Sequence, residues 1–235
     1  MASGNDDTDE VQVLRASYGS KLQRHCLLVG KTGSGKSTII NMLINNGCSE
    51  RDCEGPSTVR HGAAAGTEKF TFSIVPSKHW LLCDSIGFDG LENNNQQLLQ
   101  ELRGIYSSSL MGVSCIVFVV RAPRFSKEDI TYVEVLNKVF GPVWTKKAIL
   151  VITNHPRGFE KGEAVWRPWC GNQKDRVAIM ATFQSVMFTN NDWKDTSERC
   201  QTGMKRFLDA LVHGIDTADD YVPISPNSLR QEIQM

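Results

Sequence analysis

Apolar residues along this chain come in two rhythms. Short, nearly continuous apolar runs at residues 25–29, 79–83, 113–120 and 148–153 have the pattern of strands buried on both faces. Residues 69–75 instead alternate, with Phe70, Phe72 and Ile74 on one side, which suits a strand nearer the edge of a sheet, and residues 185–188 form a last short strand. Between these runs the period lengthens to that of a helix. Ile39, Ile40, Leu43 and Ile44 mark a helix over 37–44, Leu98, Leu99, Leu102 and Ile105 mark one over 91–110, and Met204, Phe207, Leu208 and Leu211 mark one over 196–213. Ser126 followed by Asp129 reads as a capping box that opens a further helix carrying Ile130, Val133, Val135 and Leu136. Strand and helix in alternation predict an α/β fold: a mainly parallel central sheet with one antiparallel edge strand and helices on both faces. Ligands in such folds bind at the carboxyl ends of the strands.

Outside these elements the pattern weakens. Residues 1–20 are polar and acidic and read as a flexible arm, residues 21–215 as one domain, and residues 216–235, with Pro223 and Pro226, as a loose tail. Residues 46–66 form a long loop without periodicity, and loops of that length are usually functional. The whole chain has 235 residues, 40% hydrophobic and 22% charged, enough for one sizeable core. Lys+Arg and Asp+Glu number 26 each, so no net field draws the molecule to nucleic acid or to an anionic membrane. The chain shows no apolar stretch long enough to span a membrane, and neither a secretory signal nor, with Ala2 in second place, myristoylation is expected. Seven cysteines, an odd number, are scattered, several inside apolar runs where they read as small core residues, and a reducing, cytoplasmic setting is expected. Cys48 and Cys53 lack the spacing of a zinc knuckle and read as surface thiols.

Candidate chemistry concentrates after the first apolar run. Gly30, Lys31, Thr32, Gly33, Ser34, Gly35, Lys36 and Ser37 fit GxxxxGK[ST] in full, between a predicted strand and a predicted helix. Glycines let the backbone N–H groups of such a loop converge on phosphate oxygens, Lys36 neutralises the β and γ phosphates, and Ser37 ligates Mg2+. Asp84, Ser85, Ile86 and Gly87 follow the run at 79–83 as a DxxG motif: the carboxylate faces Mg2+ through water, and the Gly87 N–H meets the γ phosphate. Thr67 is the best placed hydroxyl to close on the metal, with Thr58 second. After residues 148–153 the chain reads Asn154, His155, Pro156, without the Asp of the [NT]KxD motif that reads guanine, so these residues leave guanine and adenine both open.

Several segments in order resemble the GIMAP/IAN (immunity-associated nucleotide-binding) GTPases and their relatives, the chloroplast-import receptor GTPases. They are the loop at 30–38, which extends to Thr38; the strand and box at 117–129; residues 139–141 and 149–153; and Phe188, Thr189, Asn190 and Asn191. The likeness spans roughly residues 22–212. It implies a P-loop G domain that binds GTP or GDP with Mg2+, hydrolyses GTP slowly, and forms a homodimer or homo-oligomer in the GTP state. It also implies a base site drawing on Asn154, His155, Asn190 and Asn191, and an arginine acting across the dimer, which by position is Arg124. An arginine supplied in this way is worth roughly 10³ to 10⁵ in rate. The chain departs from the family pattern where Ser85 and Ile86 replace Thr-Pro, and where Asn154 and His155 replace Thr-His-Gly-Asp or Arg-Lys-Glu-Asp. Phe88 stands where Ras-like enzymes carry the glutamine that orients water. Two other classes therefore stay open: a scaffold gated by GTP that does not turn it over, and an ATP-binding P-loop protein. Trp166, Pro168 and Trp169 read as core or loop packing ahead of a partner surface.

Overall fold

Seven strands form one sheet in the order β2-β3-β1-β4-β5-β7-β6. The computed structural model describes residues 24–45, 71–75, 78–85, 87, 113–123, 125–141, 144–156, 158–171, 173–190 and 197–218. Within them the chain runs β1 (Arg24–Gly30), α1 (Lys36–Asn45), β2 (Thr71–Val75), β3 (Trp80–Asp84), β4 (Cys115–Arg121) and α2 (Lys127–Phe140). A 3-10 turn (Trp144–Lys147) leads into β5 (Ala148–Thr153), β6 (Glu160–Lys161), α3 (Glu163–Cys170), α4 (Lys174–Met180), β7 (Ser185–Phe188) and α5 (Glu198–Asp216). The expected helix at 91–110, the loop at 46–66, the arm, and the tail beyond residue 218 lie outside the described residues, while Asp216, expected to open the tail, is the last residue of α5.

The four central strands explain their own apolar runs. β1 pairs in parallel with β3 and β4, β4 with β5, and β5 with β7, so the carboxyl ends of all five open on one edge of the sheet. β2 runs antiparallel to β3 at one edge, as its alternation implies. The sheet has a second antiparallel edge strand beyond the one expected: β6, two residues long, pairs Glu160 with Phe188 and Lys161 with Met187. A two-residue strand beginning with Glu and Lys carries no apolar period to announce it.

Each face of the sheet is covered by helices. On one, Leu27, Phe118, Val120, Leu150, Ile152 and Phe188 pack under Tyr132, Leu136 and Val139 of α2 and Trp166 of α3. On the other, Leu28, Val117, Ile149 and Val151 pack under Ile39, Ile40 and Leu43 of α1 and Phe207, Leu211 and Ile215 of α5. Phe118 anchors an aromatic cluster, stacked on Phe183 at 6.0 Å and edge-on to Trp144 at 6.4 Å. Trp166 is core, Trp169 is half-buried edge-on to Phe188, and Pro168 is exposed within α3. The described cysteines Cys26, Cys83, Cys115, Cys170 and Cys200 form no disulfide and are buried, as small core residues. Burial, reinforced by the Asp84 charge, pushes the Cys83 thiol up to about 12, so it stays protonated beside the site and offers no nucleophile.

Candidate functional site: a phosphate loop at the carboxyl edge of the sheet

The loop between β1 and α1 is built as its glycines require. Gly30 (φ 150), Gly33 (φ 72) and Gly35 (φ 104) occupy positive-φ backbone, and Gly30 lies so close to β4 that an added methyl would overlap the Val119 carbonyl oxygen. The turn is closed by the Ser34 N–H, which donates to the Lys31 carbonyl at 3.1 Å. A second tie comes from β5: the Thr153 hydroxyl donates to the Ser34 carbonyl at 2.6 Å. Ser34 is buried and its own hydroxyl has no hydrogen-bond partner, a donor left over in the bottom of the loop. Thr32 and Thr38 flank the loop half-buried, and Gly33 is exposed at its tip.

Lys36 begins α1 and is 5% exposed. Its ammonium turns back over the loop and donates to the carbonyls of Gly30 at 3.0 Å and Lys31 at 3.1 Å. One residue on, the Ser37 hydroxyl donates to Asp84 Oδ2 at 2.5 Å, joining the first turn of α1 to the tip of β3. Asp84, 1% exposed, faces the N-terminal turn of α1, where the helix dipole favours an anion. A hydroxyl and a carboxylate held together beside a phosphate-type loop are hard oxygen donors of the kind Mg2+ takes, so the residues fit that ion. Gly87 sits directly against Thr32 of the loop with no room for a side chain. The DxxG glycine thus lies against the loop.

Lys31 has a role that its place in the motif did not announce. Its ammonium donates to Ser126 Oγ at 2.6 Å and to Glu128 Oε2 at 3.2 Å, and lies 3.8 Å from Asp129 Oδ1. The expected capping box is present: the Ser126 N–H donates to Asp129 Oδ2 at 2.7 Å and the Asp129 N–H donates to Ser126 Oγ at 3.3 Å. The Ser126 hydroxyl, the backbone at Glu128 and the Lys31 ammonium hold the Glu128 carboxyl down to about 2. The phosphate loop and the start of α2 are therefore one connected structure.

The expected base-contacting residues gather at the ends of β5 and β7. Asn154 is exposed with φ 57, Asn190 is half-buried, and His155 is 8% exposed. The His155 N–H donates to the Thr189 carbonyl at 2.9 Å and its ring packs on Phe188 at 4.8 Å, so it is more enclosed than a freely stacking residue. Thr67, Thr58, Arg124 and Asn191 lie outside the described residues. Thr153 and Lys31 as tethers were not foreseen; a hydroxyl closing an apolar run was the only sign of the first. Among the described residues no helix is long and apolar enough to cross a membrane.

A phosphate loop, a hydroxyl and carboxylate pair and a DxxG glycine on one sheet edge narrow the choice of family, and the AIG1 family profile matches residues 24–220. The chain belongs to the AIG1 family. The resemblance to GIMAP/IAN-type GTPases agrees with this membership. Among solved structures, this AIG1 family chain is similar to Toc33 from Arabidopsis thaliana in complex with GDP and Mg2+, at 17% identity and a TM-score of 0.54, covering 93% of this chain and 96% of that one. It is also similar to Toc33 with Mg2+ and GMPPNP, at 16% identity and a TM-score of 0.55, covering 92% and 95%. A dimerization-deficient Toc33 mutant matches at 16% identity and a TM-score of 0.55, covering 93% and 96%. At these identities the likeness establishes a common fold: a mostly parallel, seven-stranded mixed sheet with helices.

Proposed function

We propose that this AIG1 family chain binds GTP and GDP with Mg2+, hydrolyses GTP slowly, and dimerises when GTP is bound. The observation that carries the reading is the 2.5 Å bond from Ser37 Oγ, at the end of the phosphate loop beside the buried Lys36, to Asp84 Oδ2 at the tip of β3. Bound Mg2+ would neutralise phosphate charge, with Ser37 and Asp84 as its protein contacts. Lys36 exchanges its two loop carbonyls for phosphate oxygens, and the Ser34 hydroxyl gains the partner it lacks. Gly87, packed on Thr32 of the loop, is placed so that its N–H would meet a γ phosphate, which would make the DxxG segment responsive to whether GTP or GDP is held. The GDP and GMPPNP complexes of the similar Toc33 structures support guanine nucleotide and Mg2+ as the ligands.

Hydrolysis is slow in this reading because Phe88 replaces the water-orienting glutamine. Arg124, two residues before the Ser126 box that Lys31 grips, would act across the dimer. A further similar structure concerns atToc33 and psToc159, for whose GTPase activity dimerization is important, and this supports a link between dimerisation and hydrolysis here. The described thiols, buried as core side chains, support a reducing compartment such as the cytoplasm. Single-turnover hydrolysis measured at rising protein concentration tests the reading. The rate per molecule is expected to climb as dimers form, with a larger species on sizing in GMPPNP than in GDP. A rate near zero at every concentration would instead identify a GTP-gated scaffold.

A further inference from the structure

We propose that Glu160 is the positioning residue for base recognition: it holds the hydrogen of the His155 ring on Nδ1 and leaves Nε2 bare to accept from guanine. The proposal rests on the guanine-nucleotide reading above and names the group that does the work of the missing Asp.

Glu160 pairs with Phe188 across β6 and β7, and directly paired residues put their side chains on the same face of a sheet. His155 packs its ring on that same Phe188. The two side chains thereby meet: His155 Nδ1 lies 3.8 Å from Glu160 Oε2. Both atoms are fully buried and neither has a hydrogen-bond partner. Buried polar atoms are rarely left so, and each has the other as its obvious complement. A closure of about 1 Å turns the gap into an ordinary N–H···O bond. A carboxylate can only accept, so Nδ1 must donate, and a ring carrying its single hydrogen on Nδ1 has a bare Nε2. With Nδ1 wholly buried, the 11% of the His155 side chain still open lies on its other atoms.

The consequence is selectivity. Guanine presents N–H donors at N1 and N2, the groups that an Asp after β5 would otherwise accept. A bare Nε2 accepts from such a donor. Adenine has a lone pair at N1, which a bare Nε2 meets as acceptor against acceptor. At the N1 position, moving the hydrogen to Nε2 sets donor against donor in guanine and donor to acceptor in adenine, so for a ring that meets N1 the partner of Nδ1 decides which base it favours.

The test uses the purified full chain and its Glu160→Leu variant. GDP and ADP are each competed against a fluorescent GDP analogue, and the His155 ring nitrogens are read by 15N NMR in the GDP complex. The wild-type spectrum is expected to show the hydrogen on Nδ1. In Glu160→Leu, GDP affinity is expected to fall about ten-fold or more while ADP affinity holds, so the preference narrows. A hydrogen on Nε2 in the wild-type complex overturns the proposal, and that measurement stands even if the variant misfolds. GDP and ADP affinities falling by one common factor, the mark of a merely structural contact, also overturn it. A guanine preference that survives Glu160→Leu removes the Glu160 assignment alone, whereas a wild-type chain that binds GDP no better than ADP removes the guanine reading with it.

Discussion

Lys36→Ala is expected to lower guanine-nucleotide affinity by about 100-fold or more, roughly 3 kcal/mol, while the protein stays folded. The ammonium is a buried cation poised over the loop, and its bonds to phosphate oxygens would be charge-assisted, about twice as strong as neutral ones. Its present partners, the Gly30 and Lys31 carbonyls, sit on a turn also held by the Ser34 N–H and the Thr153 hydroxyl. Truncation therefore leaves the turn braced by other bonds, and the stability loss is expected to be only about 1 kcal/mol. Fluorescent-nucleotide binding and thermal unfolding on the same sample separate the two effects. Retention of GDP at wild-type affinity would show that the loop does not hold phosphate.

Gly30→Ala is expected to act on the fold itself. An added methyl would overlap the Val119 carbonyl oxygen and come within 3.0 Å of Ser34 Oγ and 3.1 Å of the Val119 carbonyl carbon. The first obstacle is backbone of the central strand β4, registered directly opposite Gly30, and it cannot swing away as a side chain could. The strand or the loop must shift, at about 3 kcal/mol or more, which lowers the unfolding midpoint by about 10 °C in a protein of this size. Gly33→Ala is the control. Nothing lies within 4 Å of its added methyl, so only the φ of 72 opposes it, at about 1–2 kcal/mol. Equal melting losses in the two variants would mean that the close approach to β4 has no energetic weight.

What could be read in advance follows from burial. β5 and β7 match their expected bounds, and β1, β3 and β4 lie within about two residues of theirs, because strands covered on both faces leave apolar runs that little else mimics. The capping box at Ser126 and Asp129 was equally plain, because it is a local device whose two halves are three residues apart. α3 and α4 escaped for the opposite reason. They are short, Pro168 interrupts one, and neither Gly162 nor Gln173 supplies a side-chain cap, so no start signal precedes either helix. The phosphate loop was legible because its chemistry needs fixed residue types at fixed spacing. The tethers were not: Lys31 meets Glu128, and Thr153 meets Ser34, across 97 and 119 residues of sequence. His155 was singled out for its position after β5, but its enclosure by Phe188 and Glu160 depends on β6, which leaves no pattern.

A calorimetric titration of the purified chain with GDP in magnesium buffer, with ADP in parallel, bears most directly on the site at the carboxyl edge of the sheet. Saturable one-to-one binding of GDP is predicted, weakened when EDTA removes the metal and about ten-fold or more tighter than that of ADP. Absence of heat with GDP, or tighter binding of ADP, would contradict a guanine-nucleotide site built on Lys36, Ser37 and Asp84.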